Sequence, residues 1–514
     1  MNSSDKINYL RTKLQIIKNY YQAKDFDSVI EKSKIVIKKF PHETIFYNSL
    51  GLAYKEKGEL DLAEKILKKG LKLNPKEINI LSNLGLISKF KKDFKNAQNY
   101  FEKSLAISPK HIPSIVNFAN LKKDLGFIEE SIEYFLSALK INDQLPEVHI
   151  NLAIIYKSIG KFNDTIKHCQ ILNEKFPDLI IADNLLSQVT DYAIANTHQN
   201  IMLEKIKSNN LSIMDKIYLN FAIAKSFEDQ REYNVALNYL DEGNKLKRKS
   251  LINYKFDDEI YFFDKIKEIK INSTLRVNAE PSKKLIFILG LPRSGTTLAH
   301  QIISGSSNVF GAGELSYFNY LKNSKKINSI IEENNKPLID EIRHNFLNKI
   351  NDLNITEEII VDKTPENFMW IGLIKLIFPE AKIIHCRRQI KDTALSIYKN
   401  LFHGSAYSWS YNKDELTNYI KLYLNIIDFW DNKFPQDIFH SDYETLVKNP
   451  EIESKKIFNF CGLEWDKKFL NIEKSNTPIN TLSSTQARKP IYNKSIDYYK
   501  NFENLNDFFN KLDF

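Results

Sequence analysis

The chain has 514 residues, 43% of them hydrophobic and 27% charged, with a formal net charge of +9. That length exceeds one ordinary domain, and the composition is that of a globular protein rather than a disordered or fibrous one. The positive charge is mild and dispersed, so no nucleic-acid partner is expected, and three distant cysteines (Cys169, Cys386, Cys461) form neither a disulfide framework nor a zinc spacing.

The first residues, MNSSDKINYLRTKLQIIKNYYQ, contain no apolar signal core. A repeat with a step of 34 residues follows. Pro41, Pro75, Pro109 and Pro177 keep that step or a multiple of it, with Asp143 at the skipped position. Val29, Ala63, Ala97, Ser131 and Thr165 form a second column, and Gly51, Gly85, Ala119 and Ala153 a third. Within one unit, YNSLGLAYKEKGELDLAEKILKKGLKLNP (47–75), apolar residues recur every three or four positions on either side of a Gly-containing turn. Each unit therefore predicts two amphipathic helices, with small residues where they approach. The pattern resembles the tetratricopeptide repeat (TPR), with five clear copies over 8–177. Residues 178–270 are helical by pattern but degenerate. Within them FAIAKSFEDQREYNVALNYLDEGNKLKR (221–248) reads as one further unit, with Ala236 at the small position. The resemblance implies a helical superhelix over 8–270 whose groove holds a protein or peptide, or which acts only as a scaffold.

Periodicity breaks in KINSTLRVNAEPSKK (270–284), the expected linker to a second domain over 283–514. There LIFIL (285–289), EIIVDK (358–363) and AKIIHCR (381–387) are short and almost continuously apolar, the pattern of buried parallel strands in an α/β sheet. No apolar run approaches the roughly 20 residues that span a bilayer. A cytoplasmic protein without membrane insertion is expected.

The first of these runs ends in Gly290-Leu-Pro-Arg-Ser-Gly295-Thr296-Thr297 and opens a helix. Such a loop aims backbone N–H groups at an anion. An ATP-binding loop needs Lys at position 296, where Thr stands, and the loop carries Arg293 instead. The exchange suits a terminal sulfate, with one negative charge where a terminal phosphate has about two.

L-P-R-S-G-T-T after a strand resembles the 5′-phosphosulfate loop of sulfotransferases, and four more segments in the same order extend the resemblance over 284–503. The second is PEAKIIHCRRQIKDTALSIY (379–398), similar to the 3′-phosphate motif, with Arg388 and Ser396 in the matching places and Arg387 competing for the arginine's role. The third is DYETLVKNPE (442–451), placing Tyr443 near the nucleotide, and the fourth LSSTQARKPIY (482–492), similar to a C-terminal closing loop. In that loop the resemblance puts Ser484 and Arg488 with the nucleotide and Ser483 near the sulfate. The fifth is Glu314 in GAGELSYF (311–318), 21 residues after Arg293, as in protein-tyrosine sulfotransferases, where a glutamate is the base. Lys363, in VDKTPENF, matches the lysine that stabilises the leaving group.

The resemblance implies a P-loop-like parallel-sheet sulfotransferase domain that uses 3′-phosphoadenylyl sulfate without a required metal. Its catalytic group would be Glu314, Lys363, Arg293 and Ser483. Arg293, Ser294, Gly295, Thr296, Thr297, Arg388, Ser396, Tyr443, Ser484 and Arg488 would bind the donor. The acceptor would be tyrosine in a protein or peptide; a carbohydrate or small hydroxyl compound, a nucleotide kinase, or a non-catalytic repeat scaffold are the alternatives. His300, His385 and His403 are the other candidate bases, and are read as structural. The chain departs from the tyrosine enzymes at Tyr498, where they have a lysine, and at Asn400 beside Lys399, where they have an arginine.

Overall fold

The computed structural model describes residues 3–194, 197–269, 283–322, 326–332, 335–351, 353, 355–402, 404, 406–474, 479 and 485–514. The linker segment 270–282, together with His403, Ser483 and Ser484, lies outside them. The chain forms two compact units, Met1–Ile155 and Tyr156–Phe514.

The repeats fold as consecutive helix pairs: α1 (Ser3–Gln22) with α2 (Phe26–Lys39), α3 (Thr44–Glu56) with α4 (Leu60–Leu73), and α5 (Ile78–Phe90) with α6 (Phe94–Ile107). α7 (Ile112–Asp124) with α8 (Ile128–Ile141) is the fourth pair, and α9 (Pro146–Ser158) and α10 (Phe162–Lys175) follow in sequence. The small-residue column is a packing requirement. A Cβ on Gly51 would lie 2.5 Å from Leu67 Cγ, and one on Gly85 2.6 Å from the Phe101 ring. The turn between paired helices holds a left-handed residue in every copy. Gly58, Gly126 and Gly160 occupy it where glycine was expected, and Lys24 (φ 58) and Lys92 (φ 61) occupy it in the other two. A lysine there costs about 1 kcal/mol, which the packed pair absorbs.

Among the described residues five further helices follow: α11 (Ile181–Ser187), α12 (Thr197–Lys205), α13 (Ile213–Asp229), α14 (Tyr233–Ser250) and α15 (Phe256–Lys267). α13 starts on a reciprocal cap between Ser212 and Asp215, which satisfies two orphan donors. The turn to α14 falls at Gln230–Glu232, and Ala236 is buried between the pair.

The sheet has five parallel strands in the order β2-β3-β1-β4-β5. They are β1 (Lys284–Leu289), β2 (Val309–Gly311), β3 (Ile359–Asp362), β4 (Lys382–Arg387) and β5 (Ile438–Asp442). β1, β3 and β4 are the three apolar runs of the sequence. β2 and β5, the two edge strands, have no such run. α16 (Thr296–Ile303) follows β1, and α17 (Asn319–Lys322), α18 (Lys326–Glu332) and α19 (Lys336–Asn351) separate β2 from β3. α20 (Ile371–Ile377) leads to β4, α21 (Ile390–Tyr398) and α22 (Lys413–Lys433) lead to β5, and α23 (Tyr443–Lys448) and α24 (Pro450–Cys461) follow it. One core face of this unit joins the sheet to the helical segment: Ile217, Phe221, Leu240, Phe262 and Phe263 share a buried cluster with Leu285, Phe287, Trp370 and Tyr419. No helix among the described residues is long and apolar enough to cross a membrane.

Candidate functional site

In an all-parallel sheet every strand ends on the same side, so the loops leaving the carboxyl ends share one rim. The first residues past each strand are those that the sequence singles out. Gly290–Thr297 follow β1, Glu314 follows β2, Lys363 follows β3, Arg388 follows β4 and Tyr443 follows β5.

The loop after β1 is tight and conformationally demanding. Gly290 has φ 146, and a Cβ there would sit 2.5 Å from the Cys386 carbonyl oxygen on β4. Gly295 has φ 100 and its missing Cβ makes room for the Tyr443 ring, 2.8 Å from where that atom would be. Arg293 itself is left-handed at φ 71, strain of about 1–2 kcal/mol held by the surrounding contacts. Ser294, Thr296 and Thr297 are buried.

Four of the sequence-predicted donor residues converge here. Arg293 Nε donates to Ser396 Oγ at 3.0 Å, and its Nη2 donates to Gln486 Oε1. Arg388 Nη1 donates to the Arg293 carbonyl at 3.2 Å, its Nη2 donates to the Ser495 carbonyl at 2.6 Å, and its guanidinium lies 5.0 Å over the Tyr443 ring. The Tyr443 hydroxyl meets Ser495 Oγ at 2.7 Å. Burial first, and the Arg388 charge second, lower the Arg293 guanidinium from its usual range to about 10. Two guanidinium groups this close repel each other, and an anion bound between them would offset that repulsion. Ser294 Oγ and Arg388 Nε are buried with no hydrogen-bond partner among the described residues, an unusual state for polar atoms. A loop-bound anion fits both, so the residues present suit a phosphosulfate donor.

Arg387 does not compete with Arg388. Its Cα is paired with that of Asp442 across β4 and β5, and it grips that carboxylate with two bonds of 2.8 and 3.0 Å. Strand alternation then turns the next residue, Arg388, toward the loop. Arg488 points elsewhere: its Nη2 donates to the Ser158 carbonyl at 3.0 Å. Ser483 and Ser484 fall outside the described residues.

Glu314 and Lys363 form a second cluster. The backbone continues the pairing of β2 with β3 past the strand ends, Ala312 N to Val361 O at 2.9 Å and Lys363 N to Gly313 O at 2.8 Å. That register brings Lys363 Nζ to 2.5 Å from Glu314 Oε1. Lys363 is buried, its side chain 3% exposed, while Glu314 keeps 34% of its side chain open to solvent. The two clusters are tied by Gly290 N donating to the Pro365 carbonyl at 3.1 Å.

Several supporting residues lie in the quoted segments without being singled out there. Buried Asp362 accepts from Thr364 Oγ1 at 2.6 Å, Asn367 Nδ2 at 3.1 Å and Leu315 N at 3.3 Å, while Thr364 Oγ1 accepts from Ser316 N at 3.0 Å. This network holds the backbone on the far side of Glu314. Burial raises the Asp362 carboxyl, against the pull of those bonds. Burial also raises Glu366, and it holds the Tyr407 phenol well above its usual range with the Glu366 and Glu314 charges adding. The run Asp362-Lys-Thr-Pro-Glu-Asn was a visible polar signal around Lys363. Gln486 lies within the closing-loop segment 482–492 but is not singled out there, and Ser495 and Tyr407 have no such signal.

His385 is locked between Tyr423 and His440, and burial holds its pKa well below the usual value. Burial and then the Lys363 charge push His300 down to about 3. Among the described residues no group of three or more His, Cys, Asp or Glu is arranged to hold a metal ion.

The sequence profile described as "Sulfotransferase family" matches residues 286–467. Residues 286–467 are a sulfotransferase-family domain. A tetratricopeptide-repeat profile matches residues 45–77 and 78–111 ahead of it. An Aquifex aeolicus (strain VF5) protein, named only as uncharacterised, is 29% identical over 334 residues, 62% of this chain and 44% of the relative. The chain thus spans less than half of that relative's length. A Caenorhabditis briggsae protein provisionally named a protein-tyrosine sulfotransferase is 25% identical over 205 residues, 37% of this chain and 69% of that protein. A tetratricopeptide-repeat protein from Parabacteroides merdae ATCC 43184 is similar in structure with a TM-score of 0.34, at 17% identity, over 46% of this chain and 92% of its own. The sulfotransferase domain therefore carries the anion loop, both arginines and the Glu314–Lys363 pair on one rim.

Proposed function

We propose that this protein transfers a sulfuryl group from 3′-phosphoadenylyl sulfate to the phenol of a tyrosine in a protein or peptide. The observation that carries the reading is the shared rim: an anion loop with Arg293, the Arg388–Ser396 side, and a solvent-open carboxylate paired with a buried lysine. The donor supplies an activated sulfuryl group and a bisphosphate leaving group. The loop after β1 and Arg293 hold its 5′-phosphosulfate end, and Arg388 with Ser396 and Tyr443 hold its 3′-phosphate, where a guanidinium makes charge-assisted bonds.

A phenol with a pKa near 10 is a weak nucleophile at neutral pH. Glu314 takes its proton as the new S–O bond forms. Lys363, buried beside it, neutralises negative charge growing on the bridging oxygen as the old S–O bond breaks. The products are the sulfated phenol and adenosine 3′,5′-bisphosphate, and no metal is required. His300 is a poor rival, because a group held near 3 accepts a proton reluctantly. Tyrosine is favoured over other hydroxyls by the Glu314 spacing and by the similarity to the C. briggsae protein. Tetratricopeptide repeats generally mediate protein–protein contacts, and we assign acceptor recruitment to them. Free Cys169, Cys386 and Cys461 suit a reducing compartment, and we place the reaction in the cytoplasm.

The test is transfer of ³⁵S from labelled donor to a lysate separated into protein, glycan and small-molecule fractions. Label recovered as sulfotyrosine, with kcat reduced at least about 100-fold by Glu314→Gln, supports the reading. Label confined to glycan or small molecules overturns the tyrosine acceptor, and a fully active Glu314→Gln overturns the base.

A further inference from the structure

Far along the chain from the sulfotransferase motifs, α13 and α14 reach the elements that carry them. Glu228, in the last turn of α13, uses one carboxylate oxygen for two partners: Lys399 Nζ and, at 2.8 Å, the Tyr498 hydroxyl. The pair is well covered, with side-chain exposures of 14% for Glu228 and 18% for Lys399. Lys399 directly follows α21, three residues after Ser396.

Tyr498 belongs to the strap of chain whose Ser495 meets Arg388 and Tyr443. That strap is fastened on a second side. Asp497 N and Tyr499 N each donate to Asp392 on α21 at 2.8 Å. A single carboxylate on α13 thus joins the helix that presents Ser396 to the strap that touches Arg388. α14 reinforces the joint. Asn244 Nδ2 donates to the Tyr398 carbonyl at 3.0 Å, Asp241 accepts from the Tyr398 hydroxyl at 2.7 Å, and Tyr233 sets its ring edge-on to Tyr498.

We propose that Glu228 is a positioning residue of the donor-nucleotide site, so that the last helix pair of the helical region is a working part of the transferase. The proposal rests on the sulfotransferase reading above. Glu228 touches no reacting atom. It fixes the separation of Ser396 and the 495–499 strap, and with it the aim of Arg388. Replacing it by Gln keeps an acceptor for Tyr498 but leaves a covered ammonium at Lys399 uncompensated, a costly state. Replacing it by Ala releases both partners.

The test uses the full chain, titrated calorimetrically with adenosine 3′,5′-bisphosphate and assayed for both donor and acceptor kinetics. Glu228→Ala should weaken nucleotide binding about tenfold and raise the donor KM by a similar factor, with kcat and acceptor KM nearly unchanged. Glu228→Gln should lose about threefold, and Glu228→Gln with Lys399→Met should recover part of it, because no unpaired charge remains. A purely structural role would lower melting temperature and lose active fraction without splitting the two KM values. Nucleotide affinity within about twofold of wild type in Glu228→Ala overturns the proposal while leaving the sulfotransferase reading intact. If Glu228→Ala does not fold, Tyr498→Phe and Lys399→Met decide in the same way. No nucleotide binding by the wild type overturns the sulfotransferase reading and this proposal with it.

Discussion

Burial separates the candidate proton acceptors more sharply than residue type does. Glu314 faces solvent beside a buried lysine, whereas His300 is enclosed and held near 3 by desolvation and the Lys363 charge. The same shift makes folding sensitive to acid. His300 in the folded protein binds its proton below the unfolded value, so the unfolded chain takes up the proton first as pH falls. Its share of stability is whole above about pH 6.5 and is lost progressively toward pH 3. Between pH 7 and pH 5 the loss from this residue is about 2 kcal/mol, and His385 moves in the same direction. Urea unfolding at the two pH values should show that loss, and His300→Leu should flatten the slope. An unchanged slope in the variant would assign the acid sensitivity to other groups.

Strand ends are the elements that make the site. β1 and β4 are neighbours, and the chain leaving β1 must pass the backbone of β4 at Cys386. Gly290 permits this because a Cβ there would strike a carbonyl oxygen that cannot rotate away. Gly290→Ala is therefore expected to cost about 2 kcal/mol or more and to spread the anion loop. Thermal melting and affinity for adenosine 3′,5′-bisphosphate should fall together. A variant with wild-type melting and affinity would mean that the strand pair gives way freely. Asp362 acts at the same scale, since its three accepted bonds set the path of the loop that carries Glu314.

At the scale of the molecule, the unit Tyr156–Phe514 does not divide at the segment that looks like a linker. Phe262 lies 5.4 Å from the Trp370 ring and Phe263 5.4 Å from Tyr419, and Arg248 holds Glu415 with bonds of 2.8 and 2.7 Å. A fragment starting at Lys283 would expose the apolar surface these helices cover, at roughly 25 cal/mol for each Å². It should be insoluble or molten. A fragment starting at Asp143, which keeps α9 whole, should fold and bind adenosine 3′,5′-bisphosphate as the full chain does. Circular dichroism melting and calorimetry check both. A cooperative, nucleotide-binding fragment from Lys283 would show that the helices add nothing to the fold of the sheet.

The repeat, the three central strands and the anion loop were legible in the amino-acid sequence because each rests on local physics. A 34-residue step reports helix pairs that must pack on copies of themselves, continuous apolar runs report strands covered on both faces, and a Gly-rich turn reports a backbone that must approach an anion. The edge strands β2 and β5 were not legible, since short Val309–Gly311 and mixed Ile438–Asp442 are strands chiefly through their neighbours. Lys24 and Lys92 stand left-handed for the same reason: the packed pair imposes what only glycine advertises. Which of two adjacent arginines turns inward was settled by the Arg387–Asp442 register. Gln486 lies in the closing-loop segment 482–492 and Glu228 in the degenerate unit 221–248, but neither position is marked there, and Ser495 lies in no motif. The contacts of Gln486, Ser495 and Glu228 cross 193, 107 and 270 positions of chain, to Arg293, Arg388 and Tyr498. The sequence by itself determined which chemistry-bearing residues stand at strand ends. Only the tertiary structure decided which of them meet, because hydrogen bonds between distant segments leave no period in either one.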